Sequence, residues 1–559
     1  LTLVTLFVVL AIKGLTTALN EIRSDRPRYF HAYLAAGLVT LFSVQALLIM
    51  GGITRLLPLT GITLPFVSYG GSSMLVSCLA MGMLLYLSAV AKDSPMGRPN
   101  DPGLAQRIAW LGVALLVTFA TVVIALAWWG IVRSDTLLAR DDNPRIVELE
   151  QRVRRGRILD HKDSVLAESI GSPEALIRSY PVRSAGPAVG YYSVRYGVAG
   201  IEGALDEILR GDSDPFWFRT VRSWLHRPVV GRDVRLTIDA GLQGAAMELM
   251  SESGKDGALI LLELTEIGGE PVAEIRALAS LPAYDPNRID LEFETLSGDE
   301  RGPLFNRATR GLYQPGLLLQ PLIAAAALDG GALQLSDPVS DPFDPVTING
   351  QAEHCDASPP GQTGRSFTWA DMIALRCPAP LRDLGRRLGT GRLSDILTRF
   401  GFGQAPALLL PTEASAIDIV DPGLAAIGQE STTVSPLQAG LAMAALAGDG
   451  RLPGVRLVDA MTDAAGEWRT EPVVSNSASL PIVSPEASEL IRDQWPVSEG
   501  VSTYPVSVLS GPDGSRNSWY VGLAPASNPR YILVLVLEGE TETALAEAIG
   551  SALMAEVTD

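Results

Sequence analysis

Lysine is scarce in this 559-residue chain: only Lys13, Lys92, Lys162 and Lys255 occur, so nearly all basic charge is carried by arginine. No serine stands three residues ahead of any of these lysines. A Ser-x-x-Lys pair, in which an amine one helical turn away takes the proton of a hydroxyl, therefore exists nowhere in the sequence. Cysteine is limited to Cys78, Cys355 and Cys377, and the four histidines are scattered. That pattern offers no metal-ligand spacing and calls for no cofactor. Acid is missing from the beginning of the chain, where Glu21 and Asp25 are the only carboxylates up to Lys92. The net charge of −18 thus sits in the long C-terminal portion, and an acidic soluble part without clustered lysine and arginine argues against a nucleic-acid partner.

Apolar residues are abundant, at 47%, and they are concentrated. Leu1 to Leu19, Ala32 to Met50, Met74 to Ala91 and Ile108 to Val132 are nearly charge-free runs, each close to the ~20 residues that a membrane-crossing helix needs. Arg23, Arg26 and Arg28 flank one connection, and Lys92, Arg98 and Arg107 flank another. By the positive-inside tendency both connections are cytoplasmic, which places Val132 to Asp559 outside. The first run lacks a charged leader and an initiating Met, and it reads as part of something longer. Cys355 and Cys377 then share the outer compartment, where a disulfide between them can persist, while Cys78 lies in a span.

Between the second and third runs, Pro58 to Ser73 reads PLTGITLPFVSYGGSS. Its prolines and glycines cannot form an uninterrupted helix. Non-helical backbone at membrane depth survives only where protein or a water-filled cavity satisfies its amides. This string resembles the signature of the SEDS family (FtsW/RodA type), polytopic glycosyltransferases that polymerise lipid-linked peptidoglycan precursor. The resemblance makes residues 1–91 the C-terminal three helices of such a polymerase. It assigns Pro65, Ser68, Tyr69, Gly70, Gly71, Ser72 and Ser73 to a binding loop. The family's essential aspartate lies in an outer loop upstream of the helix that here begins at Leu1. The resemblance therefore implies glycan polymerisation only when further upstream helices are present.

Residues 92–107, with Pro95, Pro99 and Pro102, read as a cytoplasmic linker, and 108–132 as a single anchor. Beyond it, Arg155-Gly156-Arg157-Ile158-Leu159-Asp160 and Gly200-Ile201-Glu202-Gly203 resemble the pedestal of class B penicillin-binding proteins. Ala279-Ser280-Leu281-Pro282-Ala283-Tyr284, Ala426-Ile427-Gly428-Gln429 and Trp519-Tyr520-Val521-Gly522 continue the resemblance. It implies a dimerisation-type pedestal over 133–230 and a transpeptidase-like domain over 231–559. Tyr531 to Glu538 reads as a buried strand, and Thr543 to Val557 as a helix packed on its sheet. The fold expected is a multi-pass α-helical membrane segment followed by an α+β penicillin-binding domain, similar to β-lactamases, with an N-terminal pedestal.

The family's reactive positions hold unexpected residues. Leu317 and Gln320 stand where the nucleophilic serine and its lysine belong, and Arg376 and Pro378 replace the serine and asparagine of Ser-x-Asn. Leu509 stands in place of the lysine of Lys-Thr/Ser-Gly, which leaves Ser510 and Gly511 as the remnant of a substrate-binding cleft. Leucine has no attacking atom, and a glutamine amide accepts no proton near neutral pH. The expectation is accordingly no catalytic residue, no transpeptidase activity, and a scaffold or activator fused to a SEDS polymerase. Two alternatives stay open: the C-terminal part of an active peptidoglycan glycosyltransferase, and a non-covalent module binding peptidoglycan or β-lactam. Expected partners are the bacterial plasma membrane, lipid-linked peptidoglycan precursor and other division or elongation proteins.

Overall fold

A computed structural model describes residues 2–24, 27–54, 56–58, 61–92, 101–129, 153–172, 175–212, 230–357, 366–430, 432–472, 481–511 and 514–558. Half of the predicted linker, the end of the anchor and the start of the predicted pedestal fall outside the described residues, as do Leu59 and Thr60 of the signature string. The chain divides into two compact units, Leu1–Ile146 and Val147–Asp559.

The first unit is helical because its apolar runs leave no backbone polar group to water. Helices α1 (Thr2–Arg23), α2 (Tyr29–Ile53), α3 (Gly71–Lys92) and α4 (Pro102–Ala127) are all long and apolar enough to cross a membrane. Helix α4 begins six residues ahead of the span expected from hydropathy, inside the stretch read as linker. Asp101 Oδ1 accepts from Leu104 N–H at 3.0 Å, and Pro102 occupies the first turn, where its missing N–H costs nothing. Glu21 lies in the last turn of α1, buried, with Oε2 3.8 Å from His31 Nδ1.

Two glycines set the helix spacing. A Cβ on Gly14 of α1 would stand 2.0 Å from Val39 Cγ2 of α2, and one on Gly112 of α4 would stand 3.2 Å from Leu15 Cδ1 of α1. Small residues at these points let the backbones approach, which is how helices gain packing contacts in the absence of water. Leu104, Ile108, Leu115, Phe119 and Val122 of α4 form one buried stripe at helical spacing, in a common cluster with Phe7, Leu15 and Phe42.

The second unit opens with β1 (Ile158–Leu159), β2 (Val165–Ser172), β3 (Ala175–Ser179), β4 (Tyr191–Ser193), β5 (Gly197–Ala199) and β6 (Val234–Leu236). Helix α5 (Ala240–Glu252) leads into β7 (Gly257–Ile267) and β8 (Glu270–Leu281), and α6 (Gln320–Asp329) precedes the hairpin β9 (Val346–Ile348) and β10 (Gln351–Glu353). Then come α7 (Pro378–Arg399), α8 (Pro436–Ala447), β11 (Gly454–Arg456), β12 (Val458–Thr462) and β13 (Trp468–Thr470). The chain closes with β14 (Val497–Ser498), β15 (Val501–Leu509), β16 (Arg516–Ala524), β17 (Tyr531–Leu537) and α9 (Thr543–Thr558).

Seven strands form the main sheet in the order β11-β8-β7-β17-β16-β15-β14, and six form a second sheet in the order β13-β12-β6-β1-β2-β3. Alternation along β16 sends Trp519 and Val521 to one face and Tyr520 to the other, so each face acquires its own apolar cluster. Helices α6 and α8 belong to the first cluster, and α5 and α9 to the second. Gly550 of α9 is required by the second: a Cβ there would stand 2.2 Å from the Tyr520 ring.

The pedestal strands are held by buried charge. Glu202, fully buried, accepts from Arg155 Nε at 3.1 Å and Nη2 at 2.8 Å, and from Arg178 Nε at 2.5 Å. Asp206 takes Arg155 Nη1 at 2.6 Å. Removing one member of such a set leaves the others charged without compensation. Glu202→Gln is expected to lower stability by about 3–5 kcal/mol, measured as the unfolding temperature of the detergent-solubilised chain. An unchanged temperature contradicts this account of the pedestal.

Candidate functional site

The positions assigned by resemblance to the family's three reactive motifs converge beside β15. The turn Gly316–Leu319 is pressed onto that strand through glycine: Gly316 has φ +56°, and a Cβ on it would stand 2.4 Å from Val508 Cγ2. Behind it Gly428, with φ +65°, approaches so closely that a Cβ would stand 2.3 Å from Gly316 N. The Gly316 N–H donates to the Gly428 carbonyl at 3.2 Å, and Tyr313 and Val434 exchange backbone bonds just upstream. Leu317, Leu318 and Leu319 are buried by this fit, and α6 begins immediately after at Gln320, with Pro321 in its first turn.

Gln320 is fully buried and hydrogen-bonded at both ends of its amide. Its Nε2 donates to the Met372 carbonyl at 3.3 Å, and its Oε1 accepts from the Tyr504 hydroxyl at 2.7 Å. Burial pushes the Tyr504 phenol far above its ordinary value, so it serves as a neutral donor. The Arg376 guanidinium lies 5.7 Å from the Tyr504 ring centroid, on a residue whose left-handed backbone (φ 52°) ends the short helix Trp369–Leu375. Cys377, next in sequence, is bonded to Cys355 with an S–S distance of 2.07 Å. Pro378 opens α7, where a missing N–H is tolerated.

Leu509 is buried at the end of β15, and Ser510 turns the chain back with its N–H on the Ser515 carbonyl at 2.8 Å. The Ser510 and Ser515 hydroxyls lie 3.0 Å apart. Just past this turn, Arg516 grips Glu353 at 2.7 and 2.8 Å, and Asn517 Oδ1 accepts from Gly539 N–H at 3.2 Å. A cavity of about 460 Å³ lies beside this end of the strand, lined by Glu353, Asp356, Ser507, Arg516 and Glu542. Burial raises the Asp356 carboxyl to about 7 against the opposing pull of Arg376, and its Oδ2 is sealed from solvent with no partner among the described residues. Tyr504 and Asp356 escaped the sequence reading because neither stands in a motif. Their roles come from contacts distant in the chain.

In the membrane unit the signature loop is ordered by its own hydroxyls. Ser68 Oγ accepts from Leu64 N–H at 2.8 Å, and Ser73 Oγ and Thr63 Oγ1 lie 2.7 Å apart. Phe66 takes a left-handed conformation and packs its ring 5.4 Å from that of Phe42, while Tyr69 is fully exposed. Gly71 to Ser73 form the first turn of α3.

A two-faced sheet roofed by helices, joined to a charge-knit pedestal and preceded by apolar helices, defines a membrane-bound penicillin-binding protein. The chain belongs to the penicillin binding protein transpeptidase domain family, whose model matches residues 272–556. The penicillin binding protein A dimerisation domain matches 155–234, and the FtsW/RodA/SpoVE cell cycle protein family matches 1–93. Among relatives, the peptidoglycan D,D-transpeptidase PbpA of Mycolicibacterium smegmatis is 28% identical, covering 80% of this chain and 97% of that protein. PbpA of Mycobacterium tuberculosis is 25% identical over 79% of this chain and 97% of its own length. The probable peptidoglycan glycosyltransferase FtsW of Geobacter metallireducens is 43% identical over 90 residues, but these span only 23% of that protein. The structure of penicillin-binding protein A from M. tuberculosis superposes with a TM-score of 0.64 at 24% identity, over 74% of this chain and all of that one, which shows the shared fold.

These relatives correct one expectation. The motif substitutions were read as an absence of transpeptidase activity, yet proteins alignable over about four fifths of this chain are named D,D-transpeptidases. The inactive reading rested on three short strings, whereas the likeness extends through pedestal, sheet and roof. The pseudo-transpeptidase description is therefore withdrawn, and the buried leucines, Gln320 and Arg376 stand as facts of the cleft.

Two outcomes test the geometry of the cleft. Tyr504→Phe removes the donor to a buried amide oxygen and should cost about 1–3 kcal/mol of stability; a neutral effect would remove Gln320 from this hydrogen-bond chain. For Asp356 the folded-state value is raised, so its contribution to stability is full below the unfolded value and is lost as pH rises toward about 7. Asp356→Asn should therefore gain on the parent chain between roughly pH 4 and pH 7 and hold a constant advantage above that. Melting temperatures across that window decide it, and a pH-independent difference contradicts the burial of this carboxyl.

Proposed function

We propose that this chain is a peptidoglycan-assembly protein of the bacterial plasma membrane whose penicillin-binding part holds and activates a SEDS polymerase segment in cis, in division or elongation. The observation that carries this reading is the buried stripe of α4: the helix leading into the penicillin-binding part packs on α1 and α2, the helices of the SEDS-type segment. A covalent connection raises the local concentration of one half around the other, so a modest interface suffices. Lipid-linked precursor is the substrate of the membrane part, where the loop from Pro65 to Ser73 contributes to its path. Ser510 and Gly511 contribute to binding stem peptide outside. Both helix connections flanked by arginine lie in the cytoplasm, and the second unit lies outside.

The test is to exchange α4, in the full protein as its cell makes it, for an unrelated apolar helix of equal length, and to follow labelled lipid-linked precursor into glycan. Polymer yield should fall several-fold while both halves persist in the membrane; an unchanged yield overturns the proposal. Topology is checked separately with Ser297→Cys at an exposed position. An impermeant maleimide should label it in intact cells with the outer layers permeabilised, and labelling only after membrane rupture contradicts the assignment.

A further inference from the structure

A cavity of about 540 Å³ opens where the C-terminal end of α7 meets α8 and β11, the edge strand of the main sheet. It is larger than the cavity of about 460 Å³ beside Ser507. Its volume falls inside the range of small-molecule sites, roughly 300–1,000 Å³. The apolar wall comes from four separate stretches of chain: Phe400 just after α7, Leu441 of α8, Val455 of β11, and Ile482, each of them buried. Elements distant in sequence hold these side chains, so the cavity is a product of the fold and not of one loop.

The buried polar side chain of the lining is already committed. Gln438 Oε1 accepts from the Ser435 N–H at 3.1 Å, and its Nε2 donates to the Gln404 carbonyl at 2.8 Å and to Ser415 Oγ at 3.1 Å. That amide has no hydrogen left to give. Arg399 is different, and it is the one charged residue of the lining among the described residues. Its Nη2 donates to the carbonyls of Ile482 at 2.6 Å and Pro481 at 3.1 Å. Its Nε and Nη1 have no partner among the described residues, and no carboxylate pairs with it there.

The ordinary task of an arginine at this point in a helix is filled by backbone. Helix α7 closes with Phe402 N–H on the Leu397 carbonyl at 3.1 Å and Gly401 N–H on the Thr398 carbonyl at 3.0 Å, and Gly401 takes the left-handed conformation at φ +86°. The helix dipole favours a cation at this end with or without a ligand, so the charge alone defines nothing. The company it keeps does. In a chain of net charge −18, Arg155, Arg276, Arg456 and Arg516 all pair with carboxylates, whereas Arg399 keeps free donors at the rim of an apolar cavity.

We propose that this cavity binds a small organic acid, with its apolar body against Phe400, Leu441 and Val455 and its carboxylate on Arg399. One cation beside an apolar wall selects one negative charge on an apolar body. A polyanion would set uncompensated charge against that wall, and a neutral molecule would leave the guanidinium donors unused. The inference rests on neither the cleft nor the membrane unit, so it stands or falls separately from the role proposed above.

Fluorine NMR on the full chain in lipid nanodiscs tests it, with fluoronaphthoate as the probe and its neutral amide as the control. The parent chain should bind the acid saturably and about 10-fold or more tighter than the amide, the share of a hydrogen bond to a charged group. Arg399→Gln should erase that difference while the amide binds as before. Leu441→Trp, which fills the cavity, should abolish saturable binding of both probes at an unfolding temperature that shows the domain still folded. Absence of saturable binding, or equal binding of acid and amide by the parent, overturns the proposal. So does an acid preference that survives Arg399→Gln, a variant altered only at an exposed position, which decides the matter even where Leu441→Trp does not fold. Undiminished binding by folded Leu441→Trp places the probe elsewhere and overturns it as well.

Discussion

Strand β17 has no polar side chain between Ile532 and Leu537, and every one of these residues is fully buried. A strand of that kind is stable only with helices on both faces of its sheet, and the remainder of the second unit follows from that requirement. One face is closed by α5 and α9, where Gly550 lets the helix settle onto Tyr520. The other is closed by α6 and α8, and α6 is placed so that its first turn meets the edge of the sheet at β15. The cleft is the seam between roof and edge. Its walls are close because Gly316 and Gly428 present backbone to backbone, at a distance that no side chain allows.

The pedestal is bound to this body by more than a linker. Strands β12 and β13, which come from the C-terminal half, complete the sheet that β1, β2, β3 and β6 begin. Arg235 on β6 and Arg456 on β11 both reach Asp459 on β12, and Arg456 also pairs with Glu274 on β8. The ion pairs therefore run from one sheet to the other. The pedestal sheet is thus tied to the main sheet by backbone pairing and partly buried charge, a suitable arrangement for a domain whose proposed task is to position its neighbour.

Much of this was legible in the residues, for reasons that are local. The run from Tyr531 to Glu538 has the composition of a buried strand, and Thr543 to Val557 has the spacing of a helix. The four apolar spans announce themselves by length. The start of α4 was misplaced because proline and glycine between Pro95 and Gly103 outweighed the Asp101-Pro102 pair, a helix-start signal that the structure uses. Gln320 could be seen as a missing lysine but not as one link in a chain running to Tyr504, since that link joins residues 184 apart. Asp356 was invisible for the same reason. The inference of inactivity failed differently, by giving three short strings more weight than a likeness that runs through the whole second unit.

The account stands on α4 seating against the SEDS-type helices of its own chain. Cysteines placed at Leu15 and Gly112, in a chain with Cys78 replaced by serine, probe that contact directly, because a Cβ at 112 would stand 3.2 Å from the Leu15 side chain. Mild oxidation in native membranes should join the pair within single chains, giving a monomeric species with an altered mobility that reductant reverses. Absence of that link, or a link formed only between chains, would contradict the packing in cis on which the proposed function depends.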